Sequence, residues 1–107
     1  MRAKLTREFY EAIRDCDVVI TASSMEPACE IEDREANDQT YGRQARAPFN
    51  LTGSPALAIP TGFAQSGLPL SMQIVGKPFD EATIYRVAHA FEQASDWPSR
   101  RPPLPST

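Results

Sequence analysis

The sequence predicts an α/β chain with about three short strands and two main helices. Three observations carry that expectation. Apolar residues recur at helical spacing near both ends, a β-branched run follows the first helical stretch, and two further apolar runs stand close together, separated by turn residues. With 107 residues, 41% hydrophobic and 23% charged, the composition is that of an ordinary small globular domain. A chain of this size buries roughly two thirds of its unfolded surface.

Leu5, Phe9, Ala12, Ile13 and Cys16 follow a helical period over residues 3–15, opposite a polar face. Val18 to Ala22 form a continuous apolar run that fits a strand covered on both faces. Residues 23–47 lose all clear period and read as a long irregular excursion, with a short helix near 35–45. Excursions of that length inside small domains are usually functional.

The segment PFNLTGSPALAIPTGF, residues 48–63, is apolar yet carries three prolines and two glycines. Ala56 to Ile59 read as a strand framed by turn residues. Pro55 suits its start, and Pro60 implies its end, a bulge or an edge. Asn50 can bond neighbouring backbone in a turn, and Gly53 permits a positive φ. After the turn Gln65-Ser66-Gly67, residues 68–75 read as an antiparallel partner strand ended by Gly76. The last helix is expected over 81–95. Asp80 would accept from its first-turn N–H groups, Phe79 and Ile84 would form a hydrophobic staple, and Glu81 would favour the helix dipole. Ile84, Val87, Ala88, Phe91 and Ser95 make its buried stripe, and the proline-rich residues 98–107 form an extended tail.

Several function classes fall away. The net charge is −3 and the basic residues are scattered, which gives no nucleic-acid footprint. No apolar run approaches the roughly 20 residues needed to span a bilayer, and the N-terminus lacks the apolar core of a secretory signal. The glycosylation pattern at Asn50 is therefore read as chance. Cys16 and Cys29 show no paired spacing and are read as reduced thiols of a cytoplasmic protein. The lone His89 falls on the solvent face of the last helix and builds no metal site, and the acidic residues Glu30, Glu32, Asp33 and Glu35 lack calcium-loop spacing. Neither a metal nor a cofactor is expected. Ser23-Ser24 invites a nucleophile reading, but no glycines surround it and only Lys4 and Lys77 offer amines.

The order of motifs from residue 48 resembles the C-terminal end of the amidase signature family, of the amidase or amidotransferase A-subunit type. It runs from the asparagine-leucine-x-glycine-x-proline turn through a strand ending in proline-x-glycine, then GLP, a strand containing Gln73, Gly76, and a helix opened by Phe79-Asp80-Glu81. The resemblance extends over about residues 5–103. It implies an α/β C-terminal fragment of a mixed central sheet with flanking helices, residues 1–107 forming a single partial domain. Asn50, Gly53, Pro55, Pro60, Gly62, Gln73, Gly76 and Glu81 fall on the family's recurrent positions.

Family members hydrolyse amides with a serine nucleophile, a bridging serine and a lysine, set in a glycine- and serine-rich signature. That signature does not occur in this chain, so no catalytic residue is assigned. The resemblance implies that the segment completes the sheet and walls part of the substrate cavity, with Arg43, Arg46 and Asn50 as the cavity-facing candidates. Two functions follow as expectations. The chain is the C-terminal part of an amide-hydrolysing enzyme, inactive alone, or it is an interaction module that self-associates or complements a separate N-terminal chain. The helix after Met1 lies mid-way through family members, which implies a truncated reading frame or a cloned fragment.

Overall fold

The computed structural model describes residues 1–105. Within them the chain forms α1 (Arg2–Ala12), β1 (Val19–Ala22), α2 (Arg34–Gly42), α3 (Ala47–Thr52), β2 (Ala56–Phe63), β3 (Pro69–Val75) and α4 (Glu81–Gln93). The α/β class and the three strands are as expected, and two shorter helices, α2 and α3, join the two main ones.

The strands form one antiparallel sheet in the order β1-β3-β2, so the last strand in the chain lies at the centre. Ile74 pairs with Ile20 on one side and Leu57 on the other. Residues directly opposite in such pairs project to the same face. On that face Ile59 and Ile74 pack against Ile84 and Ala88 of α4, ringed by Val18, Leu57, Met72, Val87 and Phe91. The amphipathic stripe read from α4 is thus the lid of the core.

Gly76 closes this packing. Its N–H donates to the Pro55 carbonyl at 2.9 Å, and a Cβ placed on it would sit 2.7 Å from Ile84 Cγ2. No side chain fits there, so the family-matched pair Pro55 and Gly76 joins the entry of β2 to the exit of β3. Gly53 ends α3 with φ 68, the left-handed conformation that glycine adopts without steric cost.

Several expectations are corrected. β1 is not covered on both faces: α4 reaches over β2 and β3, and Ile20 is left 56% exposed. Of the readings open at Pro60, the structure takes the bulge and the edge rather than the strand end: β2 is an edge strand and continues to Phe63 through a bulge between Pro60 and Gly62. The staple does not form, because Phe79 takes φ 63 and its ring stands 95% exposed. Asp80 caps no backbone N–H; its carboxylate accepts from the Thr83 hydroxyl at 2.8 Å. Helix α4 runs Glu81–Gln93, close to the expected span from 81 to about 95. The tail begins as a 3-10 turn, Trp97–Ser99, whose indole covers Gly62, and extended backbone starts at Arg100. Ser106 and Thr107 of the expected tail lie outside the described residues.

The excursion is ordered by local bonds. The Asp33 side chain caps α2 by accepting from Ala36 N–H at 3.0 Å. Asn37 Nδ2 donates to the carbonyls of Glu30, Ile31 and Asp33 at 3.1, 3.0 and 2.8 Å, drawing the polar turn onto the helix.

Candidate functional site

The face of the sheet opposite α4 carries Gln73 and Val75, both almost fully enclosed. A glutamine inside the apolar strand Pro69–Val75 must find partners for its amide, since buried polar groups are costly when unpaired. Gln73 Nε2 donates to the Ala45 carbonyl at 2.7 Å and to the Ala22 carbonyl at 3.1 Å. One side chain thereby ties the centre of the sheet to the end of β1 and to the last residues of the excursion. A backbone bond from Ala45 N–H to the Ser23 carbonyl, 3.2 Å, completes the junction.

This junction forms the floor of a groove of about 210 Å³. Gln73 and the buried Ser23 meet at its base, Ala56 and Ala58 of β2 make one wall, and Phe49, Asn50 and Arg46 of the α3 region make the other. Helix α3 is held in place by α1. Phe9 packs on Phe49 with ring centroids 5.8 Å apart, Tyr10 shares a 2.9 Å hydrogen bond with the Ser54 hydroxyl, and Arg2 Nε donates to the Leu51 carbonyl at 2.7 Å.

Of the three cavity-facing candidates, Arg46 and Asn50 line this groove. Arg43 lies apart from it, ion-paired with Glu26 beside a second hollow of about 270 Å³ that contains Ser24, Glu26 and Gln44. Of the expected structural positions only Gln73 lines the groove; Gly53 turns the chain out of α3 and Pro55 leads into β2, while Pro60 and Gly62 lie at the β2 bulge, Gly76 against Ile84 and Glu81 at the start of α4. In the sequence Gln73 reads as a structural position and Ser23 only as a candidate nucleophile, while Phe49 and Ser54 carry no distinguishing mark. The signal for Gln73 is present there, because a lone amide in an apolar strand announces a buried hydrogen-bond junction.

The groove is lined mostly by small and uncharged side chains. Arg46 is the one charged residue in its lining, and no acid faces it. Ser23 has no amine beside it in the groove: Lys77 Nζ donates to the Arg14 carbonyl and Lys4 pairs with Glu8. His89 is exposed on α4. Among the described residues no group of three or more His, Cys, Asp or Glu is placed to hold a metal ion. No helix among them is long and apolar enough to cross a membrane. A wider hollow of about 640 Å³ lies between the end of α4 and Trp97, where Asp96 is already paired with Arg100 at 3.1 Å.

Known proteins share this fold. The Amidase family model matches residues 1–85. The chain is 41% identical to the A subunit of glutamyl-tRNA(Gln) amidotransferase from Geobacillus thermodenitrificans and 42% identical to that from Halalkalibacterium halodurans. Each match covers 97% of this chain and 22% of the relative. Among solved structures, the A subunit of glutamyl-tRNA(Gln) amidotransferase from Thermotoga maritima superposes with a TM-score of 0.80 at 30% identity, over 90% of this chain and 21% of that one. A 6-aminohexanoate cyclic dimer hydrolase superposes with a TM-score of 0.72 at 29% identity, over 94% and 23%. The chain therefore spans about a fifth of the length of the relatives it matches.

Proposed function

Because the chain belongs to the amidase family, we propose that it is the C-terminal segment of an amide-hydrolysing enzyme, where it completes the central sheet and one wall of the substrate cavity. The observation that carries this reading is the groove floored by Gln73 and Ser23 and walled by Arg46 and Asn50, within residues matched to the family. It binds without a nucleophile of its own, and the acyl-transfer chemistry belongs to the glycine- and serine-rich part of the enzyme. The 107 residues alone hydrolyse no amide.

A segment exchange tests this. This chain replaces the matching fifth of the Thermotoga maritima relative, and the chimera is assayed for amide hydrolysis beside the 107-residue chain alone. An active chimera and an inactive isolated chain support the reading. A folded but inactive chimera overturns the cavity-wall role, and serine-dependent turnover by the isolated chain overturns its dependence on the rest.

One observation favours a second reading, that of an interaction module. β1 and β2 each present one unpaired edge, and Ile20 is 56% exposed beside the area that α4 covers. Open edges and uncovered apolar surface favour pairing with a second copy or with a separate N-terminal chain. Light scattering separates the readings: a concentration-independent monomer rules out self-association. The free thiols of Cys16 and Cys29 favour a cytoplasmic setting.

A further inference from the structure

We infer that Gln73 is a positioning residue of the substrate cavity, which it shapes through the backbone that carries Ser23 and Arg46. The inference rests on the cavity-wall reading above and adds the residue that sets the geometry of that wall. The Gln73 amide nitrogen donates to two carbonyls, that of Ala22 at 3.1 Å and that of Ala45 at 2.7 Å. Each carbonyl belongs to the peptide unit that leads into a residue lining the groove, Ser23 in one case and Arg46 in the other. A planar peptide moves as one body, so fixing its oxygen fixes the direction in which the next residue leaves it. One side chain therefore orients two groove residues that lie far apart in sequence.

The rest of the junction is built around this pin. The Ser23 carbonyl accepts from Ala45 N–H at 3.2 Å. Ser24 and Gln44 form an isolated antiparallel bridge, and Gln44 Nε2 donates to Ser24 Oγ at 3.2 Å. These contacts join the two ends of the excursion to each other, and Gln73 anchors both to β3. That strand is held by β1 on one side and β2 on the other, and Gln73 is 3% exposed, so the anchor point is rigid. Its burial is complete within this chain, and further chain packed around it only adds to it. Both hydrogens of the amide nitrogen are engaged, so the nitrogen donates nothing to a ligand and acts through the two peptide units. Methionine would fill the same space without supplying either donor.

The test uses a chimera with a defined substrate. This chain replaces the matching part of the 6-aminohexanoate cyclic dimer hydrolase, of which it covers 23%, and hydrolysis of 6-aminohexanoate cyclic dimer is followed. Gln73→Met removes both donors at nearly constant length, and Gln73→Glu keeps the shape while turning the donor into an acceptor. Ile84→Val lightens the core under α4, away from the groove. Both Gln73 variants are expected to lower kcat/KM about tenfold or more, mainly through KM, at temperatures where circular dichroism shows them folded. Ile84→Val is expected to lower the melting temperature and leave KM unchanged. In the 15N-labelled full chain, the backbone amide shifts caused by Gln73→Met are expected to concentrate at residues 22–24 and 44–47. An unchanged KM in the folded Gln73 variants, or an equal rise in Ile84→Val, overturns the positioning role and leaves the cavity-wall reading intact. Loss of the fold in both Gln73 variants makes the residue a core support and overturns the role as well. Shift changes spread evenly over the three strands overturn it whether or not the chimera folds. A folded parent chimera without activity overturns the cavity-wall reading itself.

Discussion

Gln73 donates its side-chain amide to the carbonyl of Ala45 at 2.7 Å, across 28 residues of sequence. The same nitrogen reaches Ala22, so three segments converge on one side chain that is 3% exposed. Gln73→Leu keeps the bulk and removes the donors, leaving two carbonyls without their partner. Its unfolding free energy is expected to fall by about 2 kcal/mol, read from urea denaturation. Hydrogen exchange should quicken at residues 44–46 before the core strands respond. An unchanged midpoint would show that the bonds do not hold the excursion.

Gly76 and Ile84 predict a coupled pair. Gly76→Ala drives a methyl to 2.7 Å from Ile84 Cγ2, an overpacking expected to cost about 1–3 kcal/mol. Ile84→Ala removes that carbon and costs about 2–5 kcal/mol by itself. In a double-mutant cycle the combined loss should be clearly smaller than the sum, because the second change opens the space the first requires. Strict additivity would mean that the close approach is not what excludes a side chain.

Gly53 isolates a backbone effect. A Cβ there meets nothing within 4 Å, so only the φ of 68 opposes a side chain. Gly53→Ala is expected to cost about 1 kcal/mol and Gly53→Asn less, since asparagine tolerates the left-handed region. Thermal melts of the two variants give the order, and alanine equal to glycine would contradict it.

Phe79 predicts the opposite sign. It holds φ 63 with its ring 95% exposed, so it bears backbone strain without burial in return. Phe79→Asn is expected to raise stability by about 0.5–1 kcal/mol, visible as a melting point higher by about 4 °C. A lower melting point would mean that the ring contributes packing that its exposure conceals.

Local chemistry is legible wherever one element decides its own conformation. The stripe Ile84, Val87, Ala88 and Phe91 is the face that covers the sheet, and Gly53 takes the positive φ that its place after Asn50-Leu51-Thr52 suggests. Expectation and structure part where a neighbour overrides a local preference. Asp80 is placed to cap the helix, but the Thr83 hydroxyl offers its carboxylate a closer donor. The run Val18 to Ala22 reads as buried on both sides, yet α4 is too narrow to cover an outer strand as well as the two beneath it. Arg43 and Arg46, three positions apart, are indistinguishable as residues, and only the position of Glu26 separates them.

By itself, the sequence determined the class of fold, its strands and main helices, and the family, because periodicity, turn chemistry and motif order are written along the chain. Tertiary structure alone decided that β3 sits between β1 and β2, that Gln73 joins Ala22 to Ala45, and that Arg46 reaches the groove while Arg43 does not. The physical reason is the range of the interactions. Helical stripes and caps act over a few residues, whereas a buried amide or a free guanidinium takes its role from partners tens of residues away.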